Sequence, residues 1–570
     1  MSSLQDCGFA PLEQDFADLM VRLAPEGGKS LYWAAAHAIR AVLQKHICCD
    51  LAQMPVPDDV PHNWQEILQR PSAVISGDGS TPLVLDHTRI YLQKMYRKEI
   101  FLAQDLRHFA RKRDDFDPVR AGAILRKLFP DTPSSDRQMQ AVFAAARGHL
   151  TILSGGPGTG KTYTAGKILA FLKRWYGDDL RIAGAAPTGK AAARLGESLQ
   201  GIATSTLHRL LGITPFSPHP RYRRTEKLPY DVVILDEVSM VPLALLADFF
   251  AAMPENGTVI LLGDQNQLCS VEPGAVFGDL CAAFAAGSFS DDFRRDFQTA
   301  TGQEMPDLPR SGRDTFAVLL RESRRFPADG AIAQVSDAIN TAATPEEVHC
   351  AAELLKKFPA EIDWFDLPSD WHDAQSLCRC IRQEYEVLLQ AETPEKALDA
   401  LLNFRILTAV HKGPHGREAM NRLAEELLHV PLLVRQKYYR GRPILIRKNA
   451  PQLHLFNGDT GILWQMPDTG NWVGCFRSAD AELLMIPVEL LPEYESAYAM
   501  TVHQSQGSEF ERILLILPPS DFYSRELIYT GLTRTRTTLT AAGALASSEK
   551  AIRKKALRTT GLQDRLHSDT

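Results

Sequence analysis

Eight consecutive residues, Gly155, Gly156, Pro157, Gly158, Thr159, Gly160, Lys161 and Thr162, have the composition needed to wrap a polyphosphate. Residues without bulk let the chain bend tightly and point successive backbone N–H groups at one anion. Lys161 is placed to reach the β- and γ-phosphates, and the Thr162 hydroxyl to sit on Mg²⁺. The apolar run 150–153 precedes the loop. Ala165, Ile168, Leu169 and Leu172 follow it at the spacing of a helix stripe. Strand, loop and helix together present the phosphates to a helix N-terminus, whose partial positive charge favours them.

A nucleoside triphosphatase needs carboxylates at the end of a second strand. The apolar run 232–235 ends in Asp236 and Glu237. Asp236 is expected to hold Mg²⁺ through its water shell, and Glu237 to position and deprotonate the attacking water. A third apolar run, 259–262, is followed by Gln267. A neutral amide donates and accepts, which suits a residue that tells ATP from ADP; alone, the segment reads as a polar turn. Arg325 and Arg534 are candidates for the cations that meet charge spreading over the γ-phosphate, although a single arginine read alone is a solvated surface charge. Both lie far along the chain from the loop, which predicts a nucleotide cleft between two domains.

These residues need a large scaffold, and 570 residues suggest about three or four domains. The composition, 45% hydrophobic and 23% charged, is that of a chain able to bury large cores. A net charge of −6 leaves room for a local basic groove. The nine cysteines are scattered without a Cys-x-x-Cys pair, so reduced thiols in a cytoplasmic protein are expected, with no zinc or iron–sulfur site. No apolar run is long enough to span a membrane, and the first residues do not read as a signal peptide. Residues 1–110 read as helix-rich, with the best helix over 30–43. The charged stretch 111–118 reads as a linker. From 119 to 335, short apolar strands alternate with helices, the pattern of a mostly parallel sheet. Within it, the polar stretch 288–315 reads as a surface excursion. A second α/β unit runs over 336–570, with a small β-insert at about 435–487 marked by turn signals at Asn457, Gly458 and Asp459 and at Asp468, Thr469 and Gly470.

Further segments, in order, resemble the motifs of a superfamily 1 helicase. Residues 136–142 resemble the family's adenine-reading motif, with Gln138 as the reader. Residues 186–192 resemble the motif that lays a threonine, here Thr188, against DNA phosphates. Thr206 and His208 lie in a segment similar to a further strand-binding motif. Residues 501–510, with Thr501, His503 and Glu509, resemble the motif joining the nucleotide ribose to the DNA track. Segments 82–92, 228–240, 274–280, 455–461 and 525–534 narrow the resemblance to the RecD family, the alpha subunits of exonuclease V (the RecBCD complex). The chain departs from the family pattern in three places. Arg324 stands where an aromatic is usual, which leaves the choice of arginine finger open. Gln504 stands where a lysine is common. No tryptophan or tyrosine follows Gln267 closely to stack on a base.

The resemblance implies two RecA-like P-loop motor domains with a β-barrel-like insert in the second, plus an N-terminal helical domain that docks on a partner. It implies an ATP-hydrolysing DNA helicase moving 5′→3′ on single-stranded DNA, with ATP and Mg²⁺ as cofactors. The partners implied are single-stranded DNA and duplex ends, and beta (RecB-like) and gamma (RecC-like) subunits in a heterotrimer that serves double-strand break repair and recombination. A stand-alone RecD-like helicase and a mainly regulatory ATPase subunit remain alternatives. No second cluster of Asp, Glu and Lys suits a two-metal nuclease, so nuclease activity is expected on a partner.

Overall fold

The computed structural model describes residues 3–214, 217–327, 329–429, 438–477, 482–519 and 523–567. At the N-terminus, helices Pro11–Leu23 and Gly28–Leu43 pack on each other. The run of alanines at 34, 35, 36 and 38 is fully buried and lets the second helix approach closely, with Trp33 and Trp64 meeting edge to face at 5.2 Å. This region is not purely helical. It also holds a small sheet of β1 (Cys48–Asp50), β2 (Ile75–Ser76), β3 (Leu83–Asp86) and β4 (Arg89–Leu92), in the order β1-β4-β3-β2. Helix Gln93–Phe109 follows and buries Leu102, Leu106 and Phe109 in one cluster with Leu246, Phe249 and Phe250 of helix Leu243–Ala252.

The stretch expected as a linker is clasped onto the next unit. Arg113 is buried and donates to Thr258 Oγ1 at 2.7 Å, while Lys112 pairs with Asp296 at 2.8 Å. Six parallel strands then form one sheet: β5 (Leu150–Gly155), β6 (Ile182–Ala186), β7 (Ala203–Thr206), β8 (Val232–Leu235), β9 (Thr258–Gly263) and β10 (Ala317–Leu320). Their order is β10-β5-β9-β8-β6-β7. The central strands β5, β8 and β9 are buried throughout, which is why they read as continuous apolar runs.

Residues 288–315 are not a surface excursion. Ser290 caps helix Asp291–Thr301 by accepting from the Phe293 N–H at 3.1 Å. Phe289, Phe293 and Phe297 recur every fourth residue and are fully buried, the last two edge to face with Phe143 at 5.1 and 5.2 Å. The polar residues between them occupy the outer face, so their abundance hid an apolar stripe. Gly122 on helix Pro118–Leu128 lets that helix close on this one: a Cβ there would stand 1.8 Å from the Ala300 carbonyl oxygen.

The second α/β unit opens with β11 (Ile362–Asp366) and β12 (Phe404–Thr408). The chain then leaves to build an antiparallel sheet of β13 (Pro443–Ile446), β14 (Thr460–Gln465), β15 (Trp472–Arg477), β16 (Leu483–Pro487) and β17 (Tyr494–Ser496), ordered β16-β15-β14-β13-β17. Among the described residues no ladder joins β16 to β17, so the sheet is open. It extends past the expected end at 487, and of the expected insert, 435–437 and 478–481 lie outside the described residues. The chain returns as β18 (Ala499–Thr501), β19 (Phe510–Leu517) and β20 (Thr535–Gly543), completing a parallel sheet ordered β11-β20-β19-β12-β18.

After helix Leu545–Arg553 the chain crosses back to the N-terminal region. Arg558 donates to the Glu272 carbonyl at 2.6 Å, and the Thr559 carbonyl accepts from the Ile47 N–H at 2.9 Å. The last helix, Leu562–His567, buries Leu562 and Leu566 in the same core as Leu102 and Leu106. Beside it, the fully buried Glu99 carboxylate accepts from Arg565 Nε at 2.9 Å, the Gly561 N–H at 2.9 Å and the Tyr91 hydroxyl at 3.1 Å. Burial raises the Glu99 carboxyl's affinity for a proton, and Arg565 opposes this.

Candidate nucleotide site and nucleic-acid interface

In the sheet order β5, β9 and β8 are neighbours, so the loops leaving their C-terminal ends converge. The loop 155–162 connects β5 to helix Lys161–Tyr176. Gly158 and Gly160 have φ of 78° and 83°, a region that favours glycine. At Gly158 the close approach matters as much as the angle, since a Cβ would stand 2.5 Å from Arg325 Cβ. Here the loop lies against the segment after β10. Ser323 Oγ donates to the Pro157 carbonyl at 2.9 Å, and the Arg324 N–H to the Gly158 carbonyl at 2.9 Å. Lys161 Nζ donates to the carbonyls of Gly155 and Gly156 at 2.7 and 3.2 Å, and Thr159 Oγ1 to the latter at 2.9 Å. Thr162 stands in the first helical turn. Gln138, on helix Arg137–Arg147, places its Nε2 3.4 Å from the Thr159 carbonyl.

Asp236 and Glu237 stand just beyond β8. Glu237 has φ 52° and ψ 42°, left-handed for a residue with a side chain, a strain of about 1–3 kcal/mol that the fold maintains. Its N–H donates to Asp236 Oδ1 at 2.8 Å. Burial and the neighbouring Glu237 charge raise the Asp236 carboxyl's proton affinity, while Lys161 lowers it. The desolvated Asp236 carboxyl group and the Thr162 hydroxyl are hard oxygen donors of the kind that suits Mg²⁺.

Beyond β9 the structure assigns a role to Asp264, which the sequence reading passed over. Its buried carboxylate accepts from the Tyr529 hydroxyl at 2.8 Å, the Asn266 N–H at 3.0 Å and Gln267 Nε2 at 3.3 Å. Its position at the strand end, three residues before Gln267, was the available signal. Gln267 is buried, and its Oε1 has no hydrogen-bond partner among the described residues; the same holds for Arg325 Nη1. A buried acceptor and a buried donor left open are what a triphosphate and its attacking water would fill.

The second α/β unit closes this site. Arg325 Nη2 donates to Glu509 Oε1 at 2.8 Å, and Arg194 and Arg536 lie 3.6 and 3.3 Å from the same carboxylate. Burial would raise the Glu509 carboxyl, but Arg325, Arg194 and Arg534 hold it down to about 2. Arg534 is buried, donating to the carbonyls of Thr530 at 3.1 Å and Ser508 at 3.3 Å. Burial lowers its proton affinity, and Glu237 and Glu509 oppose that most. Both finger candidates therefore sit at the cleft. The adjacent Arg324 instead lies over the Tyr163 ring at 5.6 Å, which separates it from Arg325. Leu268, next to Gln267, is gripped from the other unit: its N–H donates to Thr530 Oγ1 at 3.0 Å and its carbonyl accepts from Gln506 Nε2 at 3.0 Å.

The residues expected to meet DNA also lie at strand ends. Thr188 and Thr206 follow or end the paired strands β6 and β7, and each caps the next helix, accepting from the Ala191 and Arg209 N–H groups. His208, two residues on from Thr206, is exposed. Thr501 ends β18 in the other sheet and accepts from the Gln504 N–H at 3.3 Å, with His503 exposed beside it. The two sets approach each other: a Cβ on Gly507 would touch Thr188 Oγ1 at 3.8 Å. Lys190 bridges them, donating to Ser508 Oγ at 2.9 Å.

Burial, then the charges of Arg194 and Arg405, push the Lys190 ammonium down to about 7. An unfolded lysine stays charged up to its ordinary 10.5, so between pH 7 and 10.5 the unfolded chain binds more protons and folded stability rises with pH. Lys190→Met removes this dependence. In thermal melts the variant is expected to gain most over the parent below pH 7, the difference shrinking as pH rises toward 10.

Three family patterns match the chain: the RecBCD enzyme subunit RecD, N-terminal domain, over residues 7–91; an AAA domain over 138–273; and a UvrD-like helicase C-terminal domain over 496–541. RecBCD enzyme subunit RecD of Mycolicibacterium smegmatis is 31% identical, over 98% of this chain and 97% of that protein. The protein of the same name from Mycobacterium tuberculosis H37Rv is 32% identical over 97% and 94%, and that of Haemophilus influenzae 30% over 84% and 80%. With a chain-long likeness added to the phosphate loop, the paired carboxylates and the arginine-lined cleft, the chain belongs to the RecD family of RecBCD enzyme subunits.

Proposed function

We propose that the chain is an ATP-driven DNA helicase subunit that moves 5′→3′ along single-stranded DNA. It works in the cytoplasm within a heterotrimer with beta and gamma subunits, and the N-terminal region docks on the gamma subunit. The observation that carries this reading is the cleft. Lys161, Asp236, Glu237 and Gln267 come from the first sheet, Glu509 and Arg534 from the second, and Arg325 from the segment between. A triphosphate bound to the loop is met by cations of both units, so hydrolysis alters the attraction that holds them together. Mg²⁺, held by Thr162 and Asp236, would neutralise phosphate charge and orient the terminal phosphoryl group. Glu237 accepts the proton of the attacking water. Gln138 and Glu509 meet the base and ribose, while Thr188, Thr206, His208, Thr501 and His503 hold the strand. Among the described residues no helix is long and apolar enough to cross a membrane, and no group of three or more His, Cys, Asp or Glu could hold a further metal.

The test is ATPase activity with and without single-stranded DNA, followed by unwinding of duplexes with one overhang. Stimulation should fall steeply with salt, since backbone binding releases counterions. Unwinding should need a 5′ overhang; a 3′ requirement rejects the direction, and absence of stimulation at low salt rejects the motor. Arg325→Ala should lower kcat by about 10³-fold or more with nucleotide binding retained, because the guanidinium meets charge that develops only in the transition state. Fluorescent-nucleotide titration beside steady-state ATPase separates the two effects.

A further inference from the structure

A basic groove of about 500 Å³ lies away from the nucleotide, between helix Gln93–Phe109 and the arm 221–227. Five cations line it, Lys94, Arg97, Lys98, Arg223 and Arg224, against one carboxylate, Asp248, in a chain whose net charge is −6. Some of these cations hold the groove in shape. Arg224 makes a two-pronged pair with Asp105 at 2.9 and 2.8 Å, Lys98 pairs with Asp248, and Arg97 donates to the Gly79 carbonyl at 3.1 Å. Lys94 and Arg223 are exposed, and no side-chain hydrogen bond or ion pair engages either among the described residues. Phe101 stands in the same groove, 45% exposed, with Arg224 over its ring at 5.1 Å.

The arm is hydrogen-bonded to the end of a proposed strand-binding segment. The Leu211 carbonyl, just after the helix bearing His208, accepts from the N–H groups of Arg221 and Tyr222 at 2.9 and 3.3 Å. His208, Arg209 and Arg223 are exposed along this stretch, as is Arg221, which pairs with Glu226 at 3.1 Å. Cations interleaved with an exposed aromatic, continuous with a strand track, are the surface that a nucleic-acid backbone fits. The Arg224–Asp105 pair fixes the arm to helix Gln93–Phe109, so the surface is preformed.

We propose that this groove binds the phosphate backbone of single-stranded nucleic acid beyond the helicase motifs, lengthening the footprint of the chain. The proposal rests on the helicase reading, and the test separates the two. The full chain and Lys94→Glu/Arg223→Glu are titrated with labelled oligothymidylates of about 8 and about 30 nucleotides over a salt series, with ATPase followed in parallel. The 30-mer should bind the variant about tenfold more weakly, with a salt slope reduced by about 1.4 for two lost phosphate contacts. The 8-mer affinity and the kcat at saturating 8-mer should be unchanged, and Lys94→Gln/Arg223→Gln should lose less affinity than the charge reversal.

Equal 30-mer affinity in the double variant and the parent overturns the groove while leaving the helicase reading intact. So does an equal loss for both lengths, which marks a diffuse field. A parent chain whose ATPase no oligonucleotide stimulates overturns both. A variant that keeps its 30-mer affinity but no longer co-purifies with partner subunits makes the groove a surface for an acidic protein, and the proposal falls.

Discussion

Lys161→Gln is expected to abolish ATP hydrolysis while leaving the fold unchanged. The ammonium sits over the Gly155 and Gly156 carbonyls, at 2.7 and 3.2 Å, at the mouth of the phosphate loop, and the buried side chains of its helix begin beyond it, at Thr164. Removing it deletes a charge from the terminal phosphates without opening a cavity. Glu237→Gln should behave differently. The amide has the same shape, so nucleotide still binds, but the proton acceptor is gone and turnover should fall by about 10²–10⁴-fold. Near-parental DNA-stimulated ATPase in folded Lys161→Gln rejects the motor assignment. Loss of nucleotide binding in Glu237→Gln assigns that carboxylate another role.

Deleting residues 1–110 is expected to leave the remaining chain insoluble. Leu102, Leu106 and Phe109 share a buried cluster with Leu246, Phe249, Phe250 and the C-terminal Leu562 and Leu566. The deletion bares that face and also takes away Glu99, leaving Arg565 without its buried partner. Phe109→Ala alone should cost about 3–5 kcal/mol, measured by denaturant unfolding, since it empties a ring's volume from a packed site. A soluble 111–570 fragment with a normal ATPase would show that the N-terminal region is an appended module.

The candidate nucleotide site was legible because its parts are local. Glycines that must turn, a lysine at a helix start and carboxylates at the end of an apolar strand each carry their signal within a few residues. Asp264 differs. Its role depends on Tyr529, 265 positions along the chain, so no window of sequence contains it. Arg324 and Arg325 are neighbours whose side chains take opposite directions, a distinction of backbone geometry and not of residue type. The alternation of strands and helices announced the two parallel sheets. The N-terminal sheet escaped because its strands are two to four residues long, too short to show a period. Helix Asp291–Thr301 escaped because its average polarity was read in place of the four-residue recurrence of phenylalanine.

The crossing of residues 554–561 also has a mechanical meaning. Besides the cleft contacts of Glu509, Tyr529 and Gln506, the chain itself passes between the second α/β unit and the first part of the molecule at two separated places. One is the segment after β10, held by Ser323 and Arg324 on the phosphate loop. The other is the C-terminal crossing, held by Arg558, Thr559 and Gly561 on residues 272, 47 and 99. Parting the two units would therefore break backbone anchors at both passages and not the cleft contacts alone.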